Sequence, residues 1–293
     1  MKKSFIVCML SLILGISICG SAQKVKAKEA DGVVAVGEES HKDSFDINND
    51  GKKENIRFKF HNAHDEEGFG NSISIYVNKK LVKKNLYFRH WYKYKFIKLN
   101  KHAYLYLSLN AGGSHGAWSD ELYLISKKGM KRVVDFRDVP GGFDGVISIK
   151  VKNNKLYTVM DGANEGLSNM HFQSVYIEKD GKVKLKSHTH LIKEYNRCVL
   201  DAPEQEYDLK TVVEFNIYKD KKCTQLIGTV PLGTSFKAVK FYTPYTEKDS
   251  DYFVSFYLEG EDYKGWYTID EGLRESLDDK GLTTPFEGIS AAG

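Results

Sequence analysis

The segment Asp46-Ile47-Asn48-Asn49-Asp50-Gly51-Lys52-Lys53-Glu54 carries residue types at a spacing that one chemistry demands. Side-chain oxygens recur at Asp46, Asn48, Asp50 and Glu54, so a short turn can wrap a hard cation with its oxygens pointing inward. Gly51 supplies the sharp turn after the third oxygen. Lys52 offers its main-chain carbonyl, so its side-chain charge need not oppose the ion. The cofactor expected here is a structural calcium ion held by Asp46, Asn48, Asp50, Lys52 and Glu54. The competing reading is a metal-free turn, because Asn, Asp and Gly favour turns with no ion present. Downstream, Ile56-Arg57-Phe58-Lys59-Phe60 alternates apolar and basic, which is the period of a strand. Arg57 stands where a helix-loop-helix calcium switch carries its bidentate Glu, so the pattern favours a clamp over a switch.

On these residues, DINNDGKKENI is similar to the calcium loops of FG-GAP and VCBS-type repeats and, less closely, of dockerins. The resemblance covers only the loop and the start of the strand. It implies a secreted β-rich module in which the ion fixes the beginning of a strand.

Other residues capable of chemistry lie in glycine-rich loops. Asn110 to Asp120 gathers backbone amides with His115, Trp118 and Asp120, and such loops on rigid sheets are where binding groups sit. It precedes no helix, so it is not a phosphate cradle. The loops Pro140 to Gly145 and Asp161 to Gly166 add Asp144, Asp161 and Glu165. If these loops converge, paired carboxylates could hydrolyse a glycan, although sequence gives no separation between them. Tyr87 to Phe96 interleaves rings with bases, either as a stacking platform for single strands or sugars or as strands with aromatic inner faces and Lys outer faces. His188 and His190 share a strand face, but no third ligand is near in sequence, so they read as surface histidines.

At the amino end, Lys2 and Lys3 precede an apolar run from Phe5 to Ile18, too short for a membrane span and suited to an export signal. Small residues place the mature start at Gln23 or Lys28. Lipid attachment at Cys19 is disfavoured by Ile18, which stands where that motif wants a small residue. A formal charge of +4, with Lys scattered along the chain, is too small to argue for a nucleic-acid partner and supports at most a weak attraction to anionic cell-wall polymers. Cys198 and Cys223 are the cysteines beyond the signal region. They either form a disulfide contributing roughly 3 kcal/mol or remain two thiols.

These groups need strands to position them. Residues 28–40 read as a flexible lead, 41–193 as the calcium-loop domain, 194–210 as a linker, 211–272 as a second domain and 273–293 as a tail. Alternating runs meet polar turns at Ser72 to Val82, Glu121 to Val134, Ile147 to Val159 and Ser174 to Lys182. The first domain is therefore expected as an antiparallel β-sheet meander, either a curved sheet or propeller-like blades. In the second domain, Pro231-Leu232-Gly233-Thr234 and Lys264-Gly265-Trp266-Tyr267 resemble the turn and closing strand of bacterial SH3 domains. That resemblance implies a small SH3-like barrel and a wall- or peptide-binding role, with Tyr242, Trp266 and Tyr267 at the binding face. The acidic insertion Thr246 to Asp251 departs from the pattern.

The reading is an all-β, exported or wall-associated, non-catalytic binding protein, whose partner is a cell-wall polymer or peptide and which has no stable membrane insertion. The alternative is a wall-targeted glycan hydrolase.

Overall fold

The computed structural model describes residues 30–35, 40–62, 71–89, 91–110, 117–138, 143–164, 167–195, 209–244 and 253–287. The export signal, Cys19, His115, Glu165 and Cys198 lie outside the described residues, as do the side chains of Trp118 and Asp144. The chain is all-β and its sheets are antiparallel.

The first strand is β1 (Ala30–Ala35), within the stretch expected as a flexible lead. The β-branched pair Val33-Val34 suits a strand, and β1 adds to the edge of a sheet formed later in the chain. Next come β2 (His41–Phe45), β3 (Glu54–Asn62), β4 (Asn71–Val77) and β5 (Lys80–Phe88), paired in that order as a four-stranded sheet. Then β6 (Trp91–Leu99), β7 (His102–Asn110), β8 (Ala117–Ile125) and β9 (Met130–Asp135) join β1 in a five-stranded sheet. The hairpins β10 (Phe143–Lys152), β11 (Lys155–Asn164), β12 (Ser168–Lys179), β13 (Lys182–Leu185) and β14 (Thr189–Tyr195) open the largest sheet. It is continued by β15 (Leu209–Lys210), β16 (Phe215–Tyr218), β17 (Leu226–Val230), β18 (Ser235–Tyr242), β19 (Ser255–Glu259) and β20 (Lys264–Tyr267). One α-helix is found among the described residues, α1 (Glu271–Asp278); Asp270 caps it by accepting the Leu273 N–H at 2.9 Å.

Local chemistry fixes the hairpins. Both residues of the turns Asn78-Lys79, Asn153-Asn154 and Asp180-Gly181 have positive φ, the left-handed geometry whose twist matches antiparallel strands.

The sheets stack in three layers because β7 is apolar on both faces. Ala103, Leu105, Leu107 and Leu109 pack with Phe58, Ile73 and Ile75 of the four-stranded sheet. Tyr104 and Tyr106 face the other way, into a cluster with Ile149, Met160 and Phe172 of the largest sheet. Of the aromatic-basic stretch, Phe88, Tyr92, Tyr94 and Phe96 turn inward, Phe58 stacking on Tyr94 at 4.5 Å and Phe45 on Phe96 at 5.0 Å, whereas Tyr87 is exposed.

The second domain differs from its expectation. No described sheet closes into a barrel. Instead β18 pairs with β14 through Thr189↔Tyr242, His190↔Phe241 and Leu191↔Lys240, so strands from both sides of the supposed linker form one sheet. One hydrophobic cluster runs from Ile97 to Phe286. The tail docks as well: Phe286 is buried against Phe215 and Tyr267, and Thr211 bridges to it. Among the described residues, no helix is long and apolar enough to cross a membrane.

Candidate functional site

The Asp46–Glu54 loop joins β2 to β3, and the buried side chains of Phe45 and Ile47 anchor its first half. Asn49 (φ 61°) and Gly51 (φ 82°) take left-handed geometry, which bends the chain so that the Gly51 N–H reaches Asp46 Oδ2 at 3.2 Å. Asp50 Oδ1 accepts the Lys52 N–H and its Oδ2 accepts from Asn48 Nδ2, both at 2.8 Å.

Two lysines absent from the sequence reading complete the site. Lys98 of β6 places Nζ 3.2 Å from Asp46 Oδ2 and also donates to Asn49 Oδ1. Lys127, in the turn after β8, puts Nζ 2.8 Å from Glu54 Oε1, while Glu54 Oε2 accepts the Ile47 N–H at 2.9 Å. Glu54 is thus committed on both oxygens and closes the loop from within, whereas the sequence cast it as a cation ligand. Asp46 Oδ1 is the exception: it is buried with no donor among the described residues. Such an orphaned oxygen costs free energy unless a cation or water meets it, so the Asp46 end of the loop fits a hard ion. No group of three His, Cys, Asp or Glu side chains placed to hold a metal occurs among the described residues.

Asp46 and Asp50 are both held below the ordinary carboxylate value. Burial pushes Asp46 up, but the Lys98 hydrogen bond and charge and the Gly51 N–H outweigh it and hold Asp46 below the ordinary value. The Lys52 N–H and Asn48 hold Asp50 down. The loop is pinned to the central sheet by Asn49 Nδ2, which donates to the Lys101 carbonyl at 2.8 Å. The neighbouring His102 bonds Glu178 of β12 at 2.9 Å, so one end of the molecule links all three layers.

Asp120 sits on β8, fully buried between the central and largest sheets. Tyr106 donates to its Oδ1, and the Val146 N–H of β10 to its Oδ2 at 3.3 Å. Burial raises its pKa to about 6, against the lowering effects of Tyr106, Ser108, the Val146 N–H and Lys93. Asp120 therefore ties two layers together and does not open to solvent as the sequence reading required.

The glycine-rich ends of β10 and β11 do meet, through Phe143↔Gly162 and Gly145↔Asp161. Asp161 lies 3.5 Å from His171 Nε2, and Glu194 lies 3.1 Å from the same ring's Nδ1. Of the acids proposed for hydrolysis, only Asp161 has a described side chain, and it faces an imidazole.

His190 is buried, not on the surface. Its ring stacks on Phe241 at 4.7 Å, its Nδ1 is 2.7 Å from Ser174 Oγ, and burial lowers its pKa to about 3. His188 is exposed, as expected of a surface histidine, whereas His190 is buried because its face of β14 packs against Phe172 and Phe241. Tyr267 is likewise core. Trp266 and Tyr242 lie on the opposite face but are also buried, each 7% exposed, beneath Lys240, which stands 4.3 Å over Tyr257 and 5.6 Å from Trp266, and Lys221, which stands 4.2 Å over Tyr242. Gly265 allows β20 to approach β16, since a Cβ there would meet the Tyr218 carbonyl at 2.9 Å. Cys223 carries a free thiol that burial pushes up to about 12.

Comparison with protein-family models, with curated proteins and with solved structures returns no match. The likeness to calcium-loop repeats and to bacterial SH3 domains rests on the quoted residues alone.

Proposed function

We propose that this is an exported, non-catalytic binding protein of the cell envelope. A calcium ion clamps its Asp46–Glu54 loop, and the strands over 211–272 meet a wall polymer or peptide. The observation that carries the calcium reading is the buried, unpartnered Asp46 Oδ1 at the mouth of a turn whose other oxygens come from Asn48 and Asp50. Asp46, Asn48 and Asp50 would hold the ion, which supplies a fixed double positive charge. Lys98 and Lys127 stand where that charge is needed and act as resident counter-cations. A divalent ion at Asp46 would replace the Lys98 ammonium contact, while Lys127 stays on Glu54, so its affinity is set against that of Lys98. The binding role is supported by the partly exposed pair Lys240 and Tyr257, which lie over the buried Trp266.

The calcium reading is tested by thermal unfolding with calcium and with chelator. Calcium is expected to raise the melting temperature by several degrees, and Asp50→Ala to abolish the shift. Equal melting temperatures for the unaltered protein would leave the loop as a plain turn. The envelope reading is tested by retention on purified peptidoglycan. Retention unchanged in Tyr257→Ala would remove the aromatic face from it, and no retention at all would end it.

A further inference from the structure

We infer that the outward face of the sheet formed by β2 to β5 is a second binding surface, and that it takes an acidic polysaccharide. The register shows which side chains share it. Lys42 lies opposite Arg57, Arg57 opposite Tyr76, and Tyr76 opposite Leu81. Lys59 lies opposite Ser74, and His61, Ser72 and Tyr87 form a third row. Alternate residues of a strand point to opposite faces, so these rows are turned away from Phe58, Ile73 and Ile75, which pack on the central sheet. They form the outside of the stack.

The charge on this face is of one sign. The chain has 43 basic and 39 acidic residues, so an even spread would put acids here as well. Among the described residues of β2 to β5, the face has Lys42, Arg57 and Lys59 and no carboxylate. Asp43 lies on the inner side, where it accepts from Tyr94 at 3.0 Å, and Glu54 closes the calcium loop. Lys98, Lys127 and Arg137 rest on Asp46, Glu54 and Asp135, whereas no ion pair among the described residues engages Lys42, Arg57 or Lys59. Like charges directly across a strand pair repel, and Lys42 and Arg57 are such a pair. An anion seated over that row offsets the repulsion.

Rings beside the cations set the class of anion. Tyr87 is 48% exposed, and Tyr76 is half-buried next to Arg57. A tyrosine offers an apolar ring to the C–H face of a sugar and a hydroxyl to its oxygens. Arg57 offers a planar fork that fits a carboxylate through two parallel bonds. Arg57 and Lys59 are two positions apart on one strand, about 7 Å along the backbone, so a partner that meets both repeats its charge at short intervals. A chain of sugars bearing carboxylates supplies the ring, the fork's partner and the repeat. A single-stranded nucleic acid would need a series of open rings for its bases, and Tyr92, Tyr94 and Phe96 are turned inward. The envelope location proposed above is where such a polymer is met, but this face lies on the opposite outer layer from Lys240 and Tyr257.

The experiment is titration calorimetry of the full mature chain with an oligogalacturonate, an unbranched acidic sugar chain, and with its neutral methyl ester. The acidic chain is expected to bind with a dissociation constant on the order of 100 μM, weakened about tenfold when salt is raised from about 0.03 to about 0.3 M, and the ester is expected not to bind. Arg57→Gln combined with Lys59→Gln is expected to weaken binding at least about tenfold. Its melting temperature should be unchanged or higher, since the repulsion with Lys42 is gone. Tyr87→Ala is expected to bind about fivefold more weakly with the same salt dependence. Tyr257→Ala is expected to bind as the unaltered protein does, which keeps a failure of the Lys240 and Tyr257 surface apart from a failure of this one. No binding, equal binding of the ester, or unchanged binding in the double variant overturns the proposal. Tighter binding of a single-stranded oligonucleotide or of phosphatidylglycerol vesicles also overturns it, by giving the face to another polyanion.

Discussion

Asp46 and Asp50 of the Asp46–Glu54 loop and Asp120 inside the sheet stack are shifted in opposite senses. Burial opposes ionisation in both places. In the loop, an ammonium and several N–H groups outweigh it, and Asp46 and Asp50 are held ionised. Between the sheets burial prevails: Lys93 and the hydrogen bonds do not offset it at Asp120, which is pushed up to about 6, and burial with the nearby His188 pushes His190 down to about 3. A carboxylate's neighbours therefore decide whether it is a binding group or a cost, and the residue type does not.

His190 offers the largest effect for sharpening this contrast. Its pKa falls from near 6.5 to about 3, so the unfolded chain binds the proton first as pH drops. Its contribution is full above pH 6.5, is lost progressively down to about 3, and amounts to about 5 kcal/mol. His190→Asn is expected to flatten that part of the pH profile of urea unfolding. An unchanged slope would mean that the ring is hydrated.

Asp120 should act in the other direction. Its folded pKa lies above the ordinary 3.8, so stability falls as pH rises from about 4 to about 6, by about 3 kcal/mol. Asp120→Asn is expected to be more stable than the parent at pH 7 and to lose that advantage at pH 4. A variant less stable at pH 7 would show that the Val146 N–H bond outweighs burial.

Lys98→Met tests the loop side. Removing one positive charge beside a divalent ion is expected to tighten calcium binding about tenfold by calorimetry. Unchanged affinity would place the ion away from Asp46. Asp46→Asn has the smallest effect, about 1 kcal/mol at pH 7, because its carboxylate keeps part of its surface in water and the ion pair is screened. Asp46 is held below its ordinary value, so this loss should shrink as pH falls below about 4. A loss equal at pH 7 and pH 3 would refer it to packing.

What the sequence reveals follows the range of the interaction. Loop chemistry is local: spacing shows the oxygens of Asp46, Asn48 and Asp50, and paired Asn or Asp-Gly residues mark the hairpins. Strand order is not local. Nothing near Thr189 announces that Tyr242 will pair with it, so His190 reads as exposed and residues 211–272 read as a barrel of their own. Asp120 stands in a glycine-rich stretch that looks like a binding loop, yet a third layer covers it. Lys98 and Lys127 show only alternation and a turn, and their role appears when the layers bring them to the loop. β1 escaped notice because a short Asp-Gly-Val-Val run needs a waiting edge to become a strand.

The pairing of β14 with β18 also governs the order in which the molecule can be completed. A chain emerging amino end first makes its first two layers from neighbouring hairpins, which close quickly because their contacts are near in sequence. β14 must then hold an unpaired side until β18 arrives, across the whole of β15 to β17. During that interval the half-built sheet presents a sticky template to any other nascent chain. Production of the protein in halves would make that interval permanent, so the two parts are expected to be soluble only together.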